Sequence, residues 1–191
     1  MELNQRDVLA DLQRRAEEQM QYLEQTLAPL DETLLNQKPD ENSWSVLECL
    51  EHLNIIGDTY LSNFRQAAEN GADRVGETYQ PGWLGNRLAR WMLPKEDGQI
   101  PMKMKALGYM NPRGSQLGKA QVLDRQQTQL RTFHETLDAL SHVDLGRTKV
   151  SSSLGSWHRM KLGDALRFYL NHQSRHYQQI VRTLEQVNSM V

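Results

Sequence analysis

Apolar residues recur along most of this chain at steps of three and four, the period of an amphipathic helix and not of a strand. From Gln5 to Leu30 the stripe is Val8, Leu12, Ala16, Leu23 and Leu27, with charged residues between them. Asn36 to Ser43, which contains Lys38-Pro39-Asp40, breaks the period as a turn between helices should. Ser45-Val46-Leu47-Glu48 then has the form of a capping box, in which a hydroxyl and a carboxylate satisfy backbone donors that a first helical turn leaves free. The second helix starts there, carries Cys49, Leu53, Ile56, Tyr60 and Phe64, and fades at Asn70-Gly71.

Residues 71–116 are rich in glycine and hold four of the chain's six prolines, so they read as an irregular crossover. Inside it Trp83, Leu84, Leu88 and Trp91 share one side of a short helix that Pro94 would end, and packing against the bundle end is the expected fate of that side, with a lid or dimer contact as the alternative. A third helix takes Leu117 to Leu140, with Ala120, Leu123, Gln127, Leu130, His134 and Leu137 in period. After a Gly- and Ser-rich stretch from Asp144 to Ser156, a fourth runs from Leu162 to Val187 through Ala165, Leu166, Tyr169, His176, Ile180 and Leu184. The pattern predicts an all-α single domain over residues 1–191. It is a four-helix bundle without sheet, with the long crossover between helices two and three.

Composition narrows the function. A formal charge of -2 and a pI of about 6.3 give no general attraction for phosphates, which disfavours nucleic acid as a partner. Cys49 is the one cysteine, so no intrachain disulfide forms and a cytoplasmic setting is expected. Neither a signal peptide nor a membrane-spanning run is read from the sequence.

The candidate chemistry lies in histidines. His172 and His176 stand four apart on the fourth helix, so both leave one face with Cβ atoms about 5–6 Å apart, a spacing that can chelate one ion. His52 lies one turn beyond Cys49 at the edge of the second helix's stripe and is the third candidate ligand. An up-down-up-down order makes helices two and four parallel. His52 then lies about 10 Å, and His172 about 13–15 Å, from its helix start. An antiparallel pair would need an axial offset. His134, His142 and His158 have no spacing partner and read as structural. Gln173 stands where a zinc-protease helix carries its glutamate, and helix four lacks the carboxylates of a di-iron bundle, so both chemistries are disfavoured. Cys49 is a candidate soft fourth ligand, with a small buried hydrophobe as its competing role. Glu48 is a candidate to orient an imidazole, with capping as its competing role. Tyr169 and Arg175 flank the histidine pair as further candidates.

Trp44-Ser45-Val46-Leu47-Glu48-Cys49-Leu50-Glu51-His52-Leu53 resembles the Trp-Ser-x-x-Glu-x-x-x-His signature of the DinB-like superfamily. His172-Gln173-Ser174-Arg175-His176-Tyr177-Gln178-Gln179-Ile180 is similar to its closing His-x-x-Arg-His-x-x-Gln segment. The resemblance implies a four-helix bundle, often dimeric, with a three-histidine site mapped here onto His52, His172 and His176. It implies zinc or nickel there, with iron, manganese or cobalt as other ions, and relatives that act with low-molecular-weight thiols. The function expected is that of a metal-dependent transferase or hydrolase acting on a small molecule. The alternative is a non-catalytic, metal- or small-ligand-binding stress-response bundle.

Overall fold

A computed structural model describes residues 2–93, 108–112, 117–152 and 155–189, the side chains of residues 155–158 excepted. The expected crossover therefore falls partly outside the described residues.

A two-residue strand, β1 (Leu3–Asn4), leads into α1 (Gln5–Tyr22), whose first amides at Arg6 and Asp7 are accepted by the Asn4 side chain. A π-helical turn at Leu23–Leu27 extends the stripe to Leu27, and a short α2 (Glu32–Asn36) follows. Helix α3 (Val46–Asn70) opens with the expected capping box: Ser45 Oγ accepts from the Glu48 amide at 3.2 Å, and Glu48 accepts from the Ser45 amide at 2.9 Å. Strand β2 (Thr78–Tyr79) pairs with β1, and α4 (Trp83–Met92) follows. Helix α5 (Lys119–Ala139), the hairpin β3 (Lys149–Ser152) and β4 (Gly155–Lys161), and α6 (Leu162–Asn188) complete the chain.

The four long helices α1, α5, α3 and α6 contact one another in a ring. Their directions follow from the residues that meet. Gln13 reaches Asp138 and Glu17 reaches His134, so α1 and α5 are antiparallel. Asn54 reaches Val122 and Arg65 reaches Thr132, so α3 and α5 are parallel. His52 meets His172 and His176 while Tyr60 meets Phe168 and Tyr169, so α3 and α6 run antiparallel. Of the two directions that the sequence left open, the antiparallel one is present. The crossover after α3 is long enough to bring the chain back to the end where α3 began, and α5 restarts in the same direction. The axial offset that an antiparallel pair requires is present, because α6 runs on past the start of α3. There Ile180 and Leu184 share a core cluster with Leu23, Leu27, Leu35 and Val46.

Two expectations are corrected. The bundle is not without sheet: β3 and β4 pair antiparallel, Val150 opposite Met160, both buried, with Lys149 opposite Lys161. Among the described residues the fold is helical with two small two-stranded sheets. Helix α4 does not cap the bundle end with its tryptophans but lies along α6 on a face of small residues, Gly85 and Ala89, with Met92. Asn171 Nδ2 donates to the Ala89 carbonyl at 2.8 Å, and Asp164 Oδ2 accepts from the Gly82 amide at 2.7 Å. Trp83 is left 77% exposed. Arg87 lies 5.7 Å from the Trp83 ring centroid and 4.3 Å from that of Trp91, so the two indoles solvate a cation on the outer face instead of filling a core. Among the described residues no helix is long and apolar enough to cross a membrane.

Candidate metal centre

His52 occupies the second turn of α3, directly after the capped start that holds that turn in place. His172 and His176 leave the facing side of α6 one turn apart. The structure brings the three rings together. His172 Nε2 lies 3.4 Å from His52 Nε2 and 3.2 Å from His176 Nε2, and one ligand atom from each of the three histidines lies within 4.8 Å of the others. Two nitrogens bound at 2.0–2.1 Å to a tetrahedral ion stand about 3.3–3.4 Å apart, so these separations fit a single ion.

The outer nitrogens have partners of their own. His52 Nδ1 is 2.7 Å from the Met110 carbonyl oxygen, and His176 Nδ1 is 3.0 Å from Gln179 Oε1. A carbonyl oxygen only accepts, so each Nδ1 carries the proton and each neutral ring turns an Nε2 lone pair inward. Trp44 covers the His52 ring at 4.8 Å and the His176 ring at 6.0 Å between centroids, and Phe168 stacks on His172 at 6.2 Å. His52 and His176 are buried and His172 is half-buried. Desolvation pushes the His172 pKa down to about 3, helped by the neighbouring His52 and by the positive charge of Arg175. His176 is lowered for the same reasons and His52 by burial. Lone pairs facing one another at this separation, in rings that resist protonation, are stabilised by a cation among them.

The remaining candidates are placed as follows. Glu48 serves the capping box and an ion pair with Lys38 at 2.7 Å, while the acceptor for His52 is the Met110 carbonyl. Cys49 is fully buried among leucines, and burial pushes its thiol pKa well up, which suits the small-hydrophobe role. Tyr169 belongs to an aromatic cluster with Tyr60, Phe64 and Phe133. Arg175 is buried and acts on His172 and His176 through its charge. His134 pairs with Glu17 at 2.9 Å, bracing α5 on α1. His142 lies in a 3-10 turn after α5, and its carbonyl accepts from the Arg74 amide. The side chain of His158 lies outside the described residues. Met110, Gln179, Trp44 and Phe168 went unassigned from sequence. Trp44 and Gln179 stand inside the two quoted motifs, whereas a backbone carbonyl 58 positions from its partner leaves no sequence signal.

The sequence profile of the DinB superfamily matches residues 15–180. The chain belongs to the DinB superfamily. No curated protein and no solved structure gives a significant match. The DinB match begins inside α1 and ends inside α6, so it spans the helical ring and takes in all three histidines. Two surface clefts lie elsewhere on this DinB chain. One is between the end of α3 and β3, the other between the start of α1 and α6, and neither is lined by a histidine.

Proposed function

We propose that the chain is a metal-dependent enzyme that holds one divalent transition-metal ion on His52, His172 and His176 and carries out a transfer or hydrolysis on a small molecule. The observation that supports this is the donor set: three inward Nε2 atoms at ion-binding separation, joined by no cysteine or carboxylate among the described residues. Three protein ligands leave a coordination position free, as catalytic sites do and closed structural sites do not. Zinc or nickel suits an all-imidazole set best, with iron, manganese and cobalt as the other ions it accommodates. When bound, the ion supplies a Lewis acid that lowers the pKa of a water or a low-molecular-weight thiol beside it.

The chain's own residues do the rest. The three imidazoles fix the position, Trp44 and Phe168 cover ring faces against water, and Arg175 brings a positive charge that favours an anionic group such as a thiolate. The same reading takes residues 1–191 as one domain with the crossover as an insertion, in a cytoplasmic homodimer. The lone Cys49 and the family resemblance support that setting.

Elemental analysis of purified protein tests the site. We expect about one ion per chain, lost in His52→Ala, His172→Ala and His176→Ala and kept in His134→Ala. Cobalt-loaded protein then separates enzyme from structural site. A small thiol should reach an open position and add a near-ultraviolet thiolate-to-cobalt band. A cobalt spectrum indifferent to thiols and small anions means a closed site, and the non-catalytic binding role takes its place.

A further inference from the structure

We infer that Gln179 and the main-chain carbonyl of Met110 are positioning groups, which hold His176 and His52 in the Nδ1–H tautomer so that both rings keep an Nε2 lone pair for the ion. The purpose of this arrangement rests on the metal reading above, but the tautomers can be observed without metal.

A free neutral imidazole favours the proton on Nε2. Left to that preference, His52 and His176 would each point an N–H at His172, and neither could bind an ion through the inward nitrogen. Two acceptors reverse the choice. Gln179 sits three residues after His176 on the same face of α6, and its Oε1 accepts a hydrogen bond from His176 Nδ1–H at 3.0 Å. The second acceptor comes from far away in sequence. Met110 closes the 3-10 turn Gly108–Met110 within the crossover, its side chain is buried in the main core cluster, and its carbonyl accepts a hydrogen bond from His52 Nδ1–H at 2.7 Å. The anchoring of this turn therefore decides which nitrogen His52 presents. By linkage, a metal that needs the inward lone pair must in turn favour the anchored turn.

Trp44 and Phe168 hold the rings but offer no acceptor in their contacts, so they fix orientation and not protonation. That separates Gln179 from a merely structural neighbour. Gln179→Leu keeps the bulk and loses the acceptor, whereas Gln179→Glu keeps an acceptor and makes it a stronger one.

The test uses the full chain in two arms. In metal-free protein, long-range proton–nitrogen spectra of the imidazoles should show Nδ1–H for both His52 and His176. Gln179→Leu should move His176 alone to Nε2–H, and Met110→Gly, which frees the turn, should unfix His52 alone. In the second arm, zinc affinity measured by competition with a chromophoric chelator should fall about 10–100-fold in Gln179→Leu and be restored in Gln179→Glu. Wild-type protein with the proton on Nε2 of His176 would overturn the inference. So would Gln179→Leu binding zinc as tightly as wild type, or Gln179→Glu failing as badly as Gln179→Leu. Wild-type tautomers as stated in a protein that takes up no zinc would sink the metal reading and leave the positioning intact.

Discussion

His172 is the ring on which the cluster turns, since both short nitrogen pairs pass through it. Beside it Arg175 carries a positive charge, which on the proposed reading opposes a metal cation and attracts an anion bound to it. Arg175→Gln should therefore split two quantities that an ordinary site defect would lower together. Cobalt affinity should be unchanged or higher, while the concentration of thiol needed to produce the charge-transfer band rises several-fold. Equal losses in both would show that Arg175 only supports the fold. That His172 and His176 would share a face was legible in sequence because helical geometry turns an i, i+4 spacing into one face, and the Ser45 cap marked where α3 begins. Cys49 and Glu48 were ambiguous for the same reason. Each is one turn from His52 on a helix, and only packing tells which side chain reaches the ring and which reaches a cap or a leucine cluster.

At the level of elements, α4 rests on α6 through small residues, and Gly85 lies at a close approach of the two helices. A Cβ at Gly85 would stand 2.6 Å from Asp164 Oδ2 and 2.8 Å from Asp164 Cβ, and Asp164 is pinned by the Gly82 amide. The neighbour cannot swing away without giving up that bond. Gly85→Ala should therefore cost about 1–3 kcal/mol in thermal or denaturant unfolding. It should also speed hydrogen exchange in α4 before that in the bundle. A variant as stable as wild type would mean that α4 is free to shift outward. Sequence periodicity found α4 but put the wrong side of it inward, because tryptophan and leucine outweigh glycine and alanine in any apolar stripe. It missed the β3–β4 hairpin since serines, glycine and cations outnumber apolar residues over 149–161 and blur any alternating pattern. The direction of α3 against α6 was beyond its reach as well. A heptad stripe carries no sign, and only the length of the crossover hints that the chain goes back before α5 begins.

For the whole molecule, the three imidazoles tie stability to protons and, on the proposed reading, to metal. An ion that binds the folded chain alone stabilises it by about 2.7 kcal/mol at a hundredfold excess over its dissociation constant, so a chelator should lower the melting temperature of protein purified with metal. Protons act on the chelated protein. In the unfolded chain the rings titrate near 6.5, whereas burial brings His172 to about 3 and lowers His52 and His176. Between those ranges the unfolded chain binds more protons than the folded one. The histidine contribution is thus fully present above pH of about 6.5 and is lost as pH falls, until the folded rings take up protons themselves. Asp164 works in the opposite sense, because burial raises its pKa, and the folded chain recovers stability as that carboxylate is protonated. Comparing wild type with single histidine variants cancels the Asp164 effect, which all of them share. The melting temperature of chelated wild-type protein should be level above neutrality and fall below pH of about 6.5, and His172→Ala should fall less steeply. Direct titration of the imidazole nitrogens covers the case in which the variant folds poorly. Rings that titrate in the folded, metal-free protein near the free-imidazole value, together with equal acid slopes in wild type and variant, would mean that the three lone pairs are open to water and not held facing one another.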